Sequence, residues 1–205
     1  MAKGQYSRKS ATRDERKKIL IVCEGEKTEP NYFRSFRYPK DVVEVSVDGA
    51  GCETIRVVER AIERRDKANN SKNPYDEIWC VFDRDSFPKT HFYNALAMAR
   101  KQSFRLAYSI EAFELWYLLH FEYRDAAMSR IDYSEKLERY LKRKYLKNDV
   151  KMYESIADKT GDAIRNADRL LKFQQEQHSS KEYDRNPVTH VFELVNVLRS
   201  YKTKP

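Results

Sequence analysis

The stretch "KKILIVCEGEKTEPNYF", from Lys17 to Phe33, opens the predicted folded part of the chain. The apolar run Ile19–Cys23 is long enough for a strand and too short for a helix. It breaks at once into Glu24-Gly25-Glu26, and a helix with proline in its first turn is predicted over Thr28–Arg37. A buried strand that ends on a carboxylate and a glycine raises the question of what that carboxylate does.

The following residues repeat the alternation of strand and helix. "VVEVSV" alternates with period two, and two further apolar runs have the length of strands. Strands are therefore predicted at 42–47, 78–82 and 104–109, and helices at 54–67 and 90–101. This order is typical of a parallel sheet covered by helices, so we expect an α/β fold with about four parallel strands over residues 19–110.

After residue 110 the pattern becomes helical. Glu111–Phe121 is apolar on nearly all sides, which predicts a buried helix, and amphipathic helices are predicted at 134–147 and 160–173. In the last predicted helix, Asn186 is placed as the cap and Pro187 in the first turn. We expect residues 111–205 to form an α-helical extension packed on the core.

The composition indicates one globular domain. The 205 residues are 40% hydrophobic and 35% charged with five glycines, which favours helix over sheet. No run approaches the length of a membrane span and the N-terminus lacks the apolar stretch of a signal peptide, so we expect a cytoplasmic protein without a membrane partner. Cys23, Cys52 and Cys80 lack metal-ligand spacing and are interpreted as reduced thiols.

Two segments are strongly basic. Residues 1–18 hold seven Lys or Arg against two acids, which predicts a flexible arm that either attracts polyphosphate or only aids solubility. The segment "LERYLKRKYLK" interleaves cations with tyrosines, as a surface for phosphates and unpaired bases would, although a solvated helix face is the alternative. Its candidate nucleic-acid-binding residues are Arg139, Tyr140, Lys142, Arg143, Lys144, Tyr145 and Lys147.

Carboxylates follow two of the predicted strands. Functional groups of an open parallel sheet collect at the carboxyl ends of its strands. Glu24 stands there on the first strand and Asp83 and Asp85 on the third, so the three converge if those strands are neighbours. A hard divalent cation such as Mg²⁺ would relieve their repulsion, although aspartates in loops also bond backbone amides. We therefore predict a metal site at these three residues.

Four motifs resemble those of a known family. Glu-Gly after the first strand and Asp-Arg-Asp after a later one look like the Toprim domain of topoisomerases, primases and overcoming-lysogenization-defect nucleases. More closely, "CEGEKTEPNYF", "FDRDSF", "SIEAFELWYLLHF" and "NPVTHVFELVNVL" are similar in order and spacing to the RloB family, over roughly residues 18–200. One departure is Ile110, where a polar Asn is expected in many relatives, which puts a side-chain role at that position in doubt.

The resemblance implies a Toprim-like, metal-dependent nuclease in bacterial or archaeal anti-phage defence by abortive infection. It implies RNA, such as tRNA, rather than DNA as substrate, and an AAA-type ATPase encoded nearby as partner. Under it, Glu24 is a metal ligand or general base, and Asp83 and Asp85 bind Mg²⁺ or Mn²⁺.

Further residues near these motifs are candidates for the same chemistry. Glu111 and Glu114 lie one predicted helical turn apart and could bind a second ion, although either could instead favour the helix dipole. Lys27 and Lys89 could neutralise phosphate in the transition state. Glu29 is interpreted as a first-turn acid that favours the helix dipole rather than as a ligand.

Two hypotheses about function remain open at this point. The first is the metal-dependent nuclease. The second is a non-catalytic nucleic-acid-binding or regulatory subunit of a defence complex with the ATPase, whose binding would be salt-sensitive and independent of the carboxylates. The sequence has no Ser/His/Asp or Cys/His arrangement and no phosphate-binding loop, which disfavours an acyl-transfer hydrolase and a self-contained ATPase.

Overall fold

The computed structural model describes residues 16–39, 41–51, 53–84, 88–177 and 181–201. Its strands are β1 Lys17–Cys23, β2 Val43–Gly49, β3 Glu77–Val81, β4 Arg105–Leu106, β5 Ser109–Ile110 and β6 Val188–Thr189. Its helices are α1 Thr28–Arg34, α2 Thr54–Asn70, α3 Lys89–Lys101, α4 Glu114–Leu118, α5 Arg130–Leu141, α6 Met152–Ile156, α7 Thr160–Gln177 and α8 Val191–Ser200, with short 3-10 helices at Ala157–Lys159 and Glu182–Asp184.

A four-stranded parallel sheet forms the centre, in the order β2-β1-β3-β4. β1 lies between β2 and β3, and its apolar residues Ile19–Cys23 are fully buried. Strands buried on both faces are continuously apolar rather than alternating, which explains this run. Cys23 pairs with Val81, so the chain leaves β1 and β3 at neighbouring points of the carboxyl edge. The predicted α/β fold with a parallel sheet is therefore confirmed.

Helices cover both faces of the sheet because successive β1 side chains point in opposite directions. Ile19 and Ile21 belong to one core cluster, which they share with α1, the C-terminal helices and the buried ring of Trp116. Leu20 and Val22 belong to the other, which is built mainly with α2 and α3. The C-terminal helices thus form one wall of the core, as the sequence predicted. Cys23 and Cys80 are buried free thiols, while Cys52 lies outside the described residues.

The predicted fourth strand and last helix differ from the structure. Over residues 104–108 the chain is a strand only in the short β4, and at Ser109 it enters β5, which pairs antiparallel with β6 in a separate two-stranded sheet. Val188 and Thr189 therefore form a strand, and α8 begins after His190, so the prediction of Asn186 as cap and Pro187 as first turn was wrong. The helical spacing of valines in this segment does not reveal a partner strand eighty residues away.

Two predicted helices have different bounds. The apolar segment Glu111–Phe121 is helical only over α4, so Glu111 precedes the helix. The basic helix predicted at 134–147 is instead α5, which begins with a capping box between Ser129 and Asp132 and stops where Lys142 adopts a left-handed conformation. The sequence suggested a helix that continues through the cations after Leu141, because residues 142–147 include no Gly or Asn, the residues that usually end a helix.

The chain start also differs from the prediction. β1 begins at Lys17, two residues before the predicted strand and inside the segment expected to be a flexible arm, because Lys17 pairs with Val43 and the Lys18 amide donates to Asp76 Oδ2 at 2.7 Å. The first fifteen residues of that arm lie outside the described residues. Within the described ranges, every helix is too short or too polar to cross a membrane.

Candidate active site

A cleft of about 270 Å³ opens at the carboxyl edge of the parallel sheet. Its walls come from the loops after β1 and β3, from α1 and from the C-terminal half of the chain. The lining residues are Glu24, Gly25, Thr28, Glu29, Asp83, Phe113, Glu114, Arg130 and Lys147. Four of these are carboxylates, which makes the cleft strongly acidic.

Glu24 and Asp83 are brought together by the pairing of β1 with β3. The Asp83 amide donates to Glu24 Oε2 at 2.9 Å, and the Thr54 hydroxyl at the start of α2 donates to Glu24 Oε1 at 3.1 Å. The Phe113 amide donates to Asp83 Oδ2 at 3.1 Å. These donors fix both carboxylates in place, in the proximity that the sequence predicted if the two strands were neighbours.

Glu29 is the carboxylate that the sequence interpretation placed elsewhere. Although it lies in the first turn of α1, its side chain is buried in the cleft, against the Cα of Gly25. A Cβ at position 25 would overlap the Glu29 carboxylate, so the glycine of the Glu-Gly motif lets this buried side chain keep its place in the cleft. The sequence signal for this placement of Glu29 was its position five residues after Glu24, with a glycine between the two.

The electrostatics of Glu29 reflect its burial among other acids. Burial first, and then the charges of Glu114 and Glu24, raise the pKa of Glu29 to about 7, against the opposing effect of hydrogen bonds from the backbone amides of Glu29 and Gly25. The carboxyl group therefore holds a proton more tightly than an exposed glutamate does.

Asp83, which is partly buried, and Glu114, which is buried, share the same acidic environment. Burial, followed by the charges of Glu29, Glu114 and Glu24, raises the pKa of Asp83 well above its ordinary value. Glu114 is 4% exposed, and the buried Tyr145 donates its hydroxyl to Glu114 Oε1 at 3.1 Å. The cleft thus combines buried and partly buried carboxylates whose mutual repulsion favours the binding of a proton or another cation.

Several predicted site residues lie away from the cleft lining. Glu111 is partly exposed and Lys27 is exposed, and neither lines the cleft. Lys89 is held by Asp184, with Nζ 2.8 Å from Oδ1, and lies over the ring of Tyr183. Asp85 lies outside the described residues.

The predicted nucleic-acid-binding residues are dispersed. Tyr145 is buried, and the hydroxyl of Tyr140 donates to Glu122 Oε2 at 2.6 Å while its ring stacks on Phe121, so neither ring stands as a free platform. Arg143 is paired with Asp149 at 2.6 Å. The remaining members, Arg139, Lys142, Lys144 and Lys147, are exposed, and of these Lys147 lines the cleft.

The donor chemistry of the cleft fits a hard divalent cation, because all four acidic groups offer oxygen and at least two have raised proton affinity. In the part of the chain that the structure describes, no three His, Cys, Asp or Glu side chains already stand as a ligand set for one ion. The predicted ligand Asp85 is outside that part.

Fold and cleft define an α/β protein with a four-stranded parallel sheet and an acidic cleft at its carboxyl edge. The family model described as "RloB-like protein" matches residues 19–198, and the chain therefore belongs to the RloB-like family. This confirms the resemblance carried by the four motifs. No curated protein and no solved structure matches the chain significantly.

Proposed function

We propose that this RloB-like protein is a divalent-metal-dependent nuclease that hydrolyses phosphodiester bonds, with RNA, such as tRNA, as its substrate. The observation that carries the proposal is the convergence of four carboxylates, two of them with raised pKa, in one cleft at the carboxyl edge of the sheet. Ligand sites of open α/β sheets lie at this edge. The Toprim-like order of the motifs supports the choice of reaction.

The cleft residues have distinct roles in this proposal. Glu24, Asp83 and Glu114, together with Asp85, would hold Mg²⁺ or Mn²⁺, which supplies Lewis-acid chemistry when bound. The Thr54 hydroxyl and the backbone amides of residues 83 and 113 keep Glu24 and Asp83 in fixed orientations. Such preorganisation avoids reorganisation when charge develops on the phosphate.

The family supports a wider setting. Relatives with the same motifs are implied to act in anti-phage defence beside an AAA-type ATPase, so we extend the proposal to abortive infection with that ATPase as partner. A toxic nuclease of this kind requires restraint in uninfected cells, which a partner protein could provide.

The test is cleavage of labelled tRNA, other RNA, and single- and double-stranded DNA by the purified protein with Mg²⁺, with Mn²⁺ and with EDTA. Asp83→Asn keeps an acceptor for the Phe113 amide and removes a repelled charge, so it should stay folded and lose cleavage by at least about a hundredfold. Asp41→Asn, at an exposed aspartate before the opposite end of β2, is the matched control.

The result separates the two hypotheses. Metal-dependent cutting that Asp83→Asn abolishes and Asp41→Asn retains would support the nuclease and identify its substrate. Equal cutting by Asp83→Asn would refute the assignment. Salt-sensitive binding with no cutting, also after addition of the ATPase, would favour the regulatory subunit instead.

A further inference from the structure

Two basic side chains line a cleft whose other charged groups are acidic. Arg130, the first residue of α5, pairs with Asp83, and its Nη2 lies 3.8 Å from Oδ2. Lys147 lies in the segment of residues 142–151 between α5 and α6, is exposed, and forms an ion pair with none of the described residues. The cleft therefore contains a cation that its four described carboxylates do not bind.

The backbone around Lys147 is fixed by contacts with α1. The Thr28 hydroxyl donates to the Lys147 carbonyl at 2.8 Å, and the Asn31 side chain donates to the next carbonyl at 3.2 Å. In the same segment, the buried Tyr145 donates its hydroxyl to Glu114 Oε1 at 3.1 Å. The segment is thus tied to α1 and to one of the carboxylates, and these contacts hold the backbone of Lys147 at the cleft.

The charges of the cleft decide which ligand its two cations can take. Four carboxylates and two cations line the cleft, so with all of them ionised the carboxylates are in excess by two. An anion is repelled from such a cleft. One divalent cation on the carboxylates balances the excess, and the positive charges of Arg130 and Lys147 then attract an anion. The balance therefore predicts that an anion binds only after a divalent cation.

We propose that Lys147, together with Arg130, binds a phosphate group of the substrate in this cleft, and does so only when a divalent cation is present. Phosphate oxygens are good ligands both for a hard cation and for an ammonium group, and lysine acts on phosphate as a point charge. The sequence had suggested Lys27 and Lys89 for this role, but neither lines the cleft. The inference rests on the proposed function, since it assigns a substrate contact in the same cleft.

Equilibrium dialysis of radiolabelled inorganic phosphate against the full chain tests the inference without any cleavage. We expect phosphate to bind at least about tenfold more tightly with Mg²⁺ than with EDTA, because the cation removes the repulsion by the carboxylates. By linkage, phosphate should raise the affinity of the protein for Mg²⁺ by the same factor. Titration calorimetry of Mg²⁺ with and without phosphate measures this second effect.

Substitutions of two lysines in one segment separate the site from general charge. Lys147→Ala should weaken phosphate binding in Mg²⁺ about tenfold, the effect of losing one charged hydrogen bond. Lys147→Arg keeps the positive charge and should recover most of the binding. Lys144→Ala removes the same charge at an exposed position off the cleft lining, and should change binding less than about twofold.

Replacing Thr28 by valine tests whether the backbone contacts act through the lysine. Valine has nearly the same shape but cannot donate to the Lys147 carbonyl, so Thr28→Val should weaken phosphate binding about threefold. In a protein that already carries Lys147→Ala, the same substitution should have no further effect. A purely structural effect of Thr28→Val would be the same in both proteins.

Three outcomes would overturn the inference: no measurable phosphate binding in Mg²⁺, equal binding in Mg²⁺ and in EDTA, or equal losses for Lys144→Ala and Lys147→Ala. An equal loss from Thr28→Val with and without Lys147 would overturn the anchoring argument. Lys147-dependent phosphate binding by a protein that cleaves nothing would refute the nuclease and leave the phosphate site standing. Cleavage that Lys147→Ala leaves unchanged would do the reverse.

Discussion

Replacing Glu29 by glutamine should stabilise the protein at alkaline pH. The Glu29 side chain is 6% exposed and lies among other carboxylates, so its ionised form is unfavourable in the folded chain. Glutamine has nearly the same shape and its carbonyl oxygen can still accept from the backbone amide of Gly25. The substitution therefore removes the charge and retains the packing.

The expected size of the stabilisation by Glu29→Gln follows from the pKa of Glu29, which rises from 4.5 to about 7 on folding. Because the folded state binds this proton more tightly, protonation of Glu29 stabilises the folded chain. This stabilisation is fully present below the unfolded pKa and is lost as the pH rises through about 7. One pKa unit corresponds to about 1.4 kcal/mol, so the ionised Glu29 costs about 3 kcal/mol of unfolding free energy near pH 8. Glu29→Gln does not incur this cost.

Urea unfolding followed by circular dichroism in EDTA measures the difference. At about pH 8 we expect Glu29→Gln to exceed the wild type by about 3 kcal/mol, and at about pH 4.5 the two should differ by less than about 1 kcal/mol. Glu176→Gln, at an exposed glutamate of α7, should stay within about 0.5 kcal/mol of the wild type at both pH values. A Glu29→Gln protein that is less stable at alkaline pH, or whose gain does not depend on pH, would refute the argument.

Three further outcomes are expected. Gly25→Ala should lower the unfolding free energy by about 2 kcal/mol because the new Cβ overlaps Glu29, whereas Gly161→Ala, where a Cβ meets only a side-chain atom at 3.6 Å, should raise the melting temperature slightly. Burial lowers the pKa of His120 from 6.5 to about 4, so the contribution of His120 to the unfolding free energy should fall by up to about 3 kcal/mol between pH 6.5 and pH 4, and urea unfolding should show this as an equal shift of the wild type relative to His120→Asn. Mg²⁺ at about pH 8 should raise the urea midpoint of the wild type more than that of Asp83→Asn, since a ligand that binds only the folded state stabilises it.

The sheet and half of the cleft could be predicted because they depend on local patterns. The apolar runs that form β1 and β3 each end on an acidic residue, and parallel pairing alone brings Glu24 beside Asp83. The order of strands and helices was sufficient to predict that these carboxylates lie at the carboxyl edge of the sheet, where the candidate site is. The burial predicted for the apolar segment Glu111–Phe121 extends to its histidine, since His120 is buried and its Nδ1 lies 2.9 Å from the Trp116 carbonyl.

The other half of the cleft depends on contacts that no local pattern reports. Arg130 and Lys147 are separated in sequence from Glu24 by more than a hundred residues, and the placement of Lys147 depends on Thr28 and Asn31 holding the 142–151 segment. The cations of that segment suggested a continuous helical face, but the helix stops at Lys142. Tertiary contacts with Thr28 and Asn31 decide which lysine faces the cleft. These contacts cannot be read from the charge composition of the segment.

The way these carboxylates are stabilised argues that the cleft serves a ligand rather than the fold. Backbone amides and the hydroxyls of Thr54 and Tyr145 donate hydrogen bonds to Glu24, Asp83 and Glu114, and such donors orient a carboxylate without cancelling its charge. Arg130 forms an ion pair with Asp83, its Nη2 3.8 Å from Oδ2, but four carboxylates line the cleft with only two basic side chains among its lining residues. The pKa values of Glu29 and Asp83 are accordingly raised, and groups with perturbed pKa values of this kind cluster at functional sites.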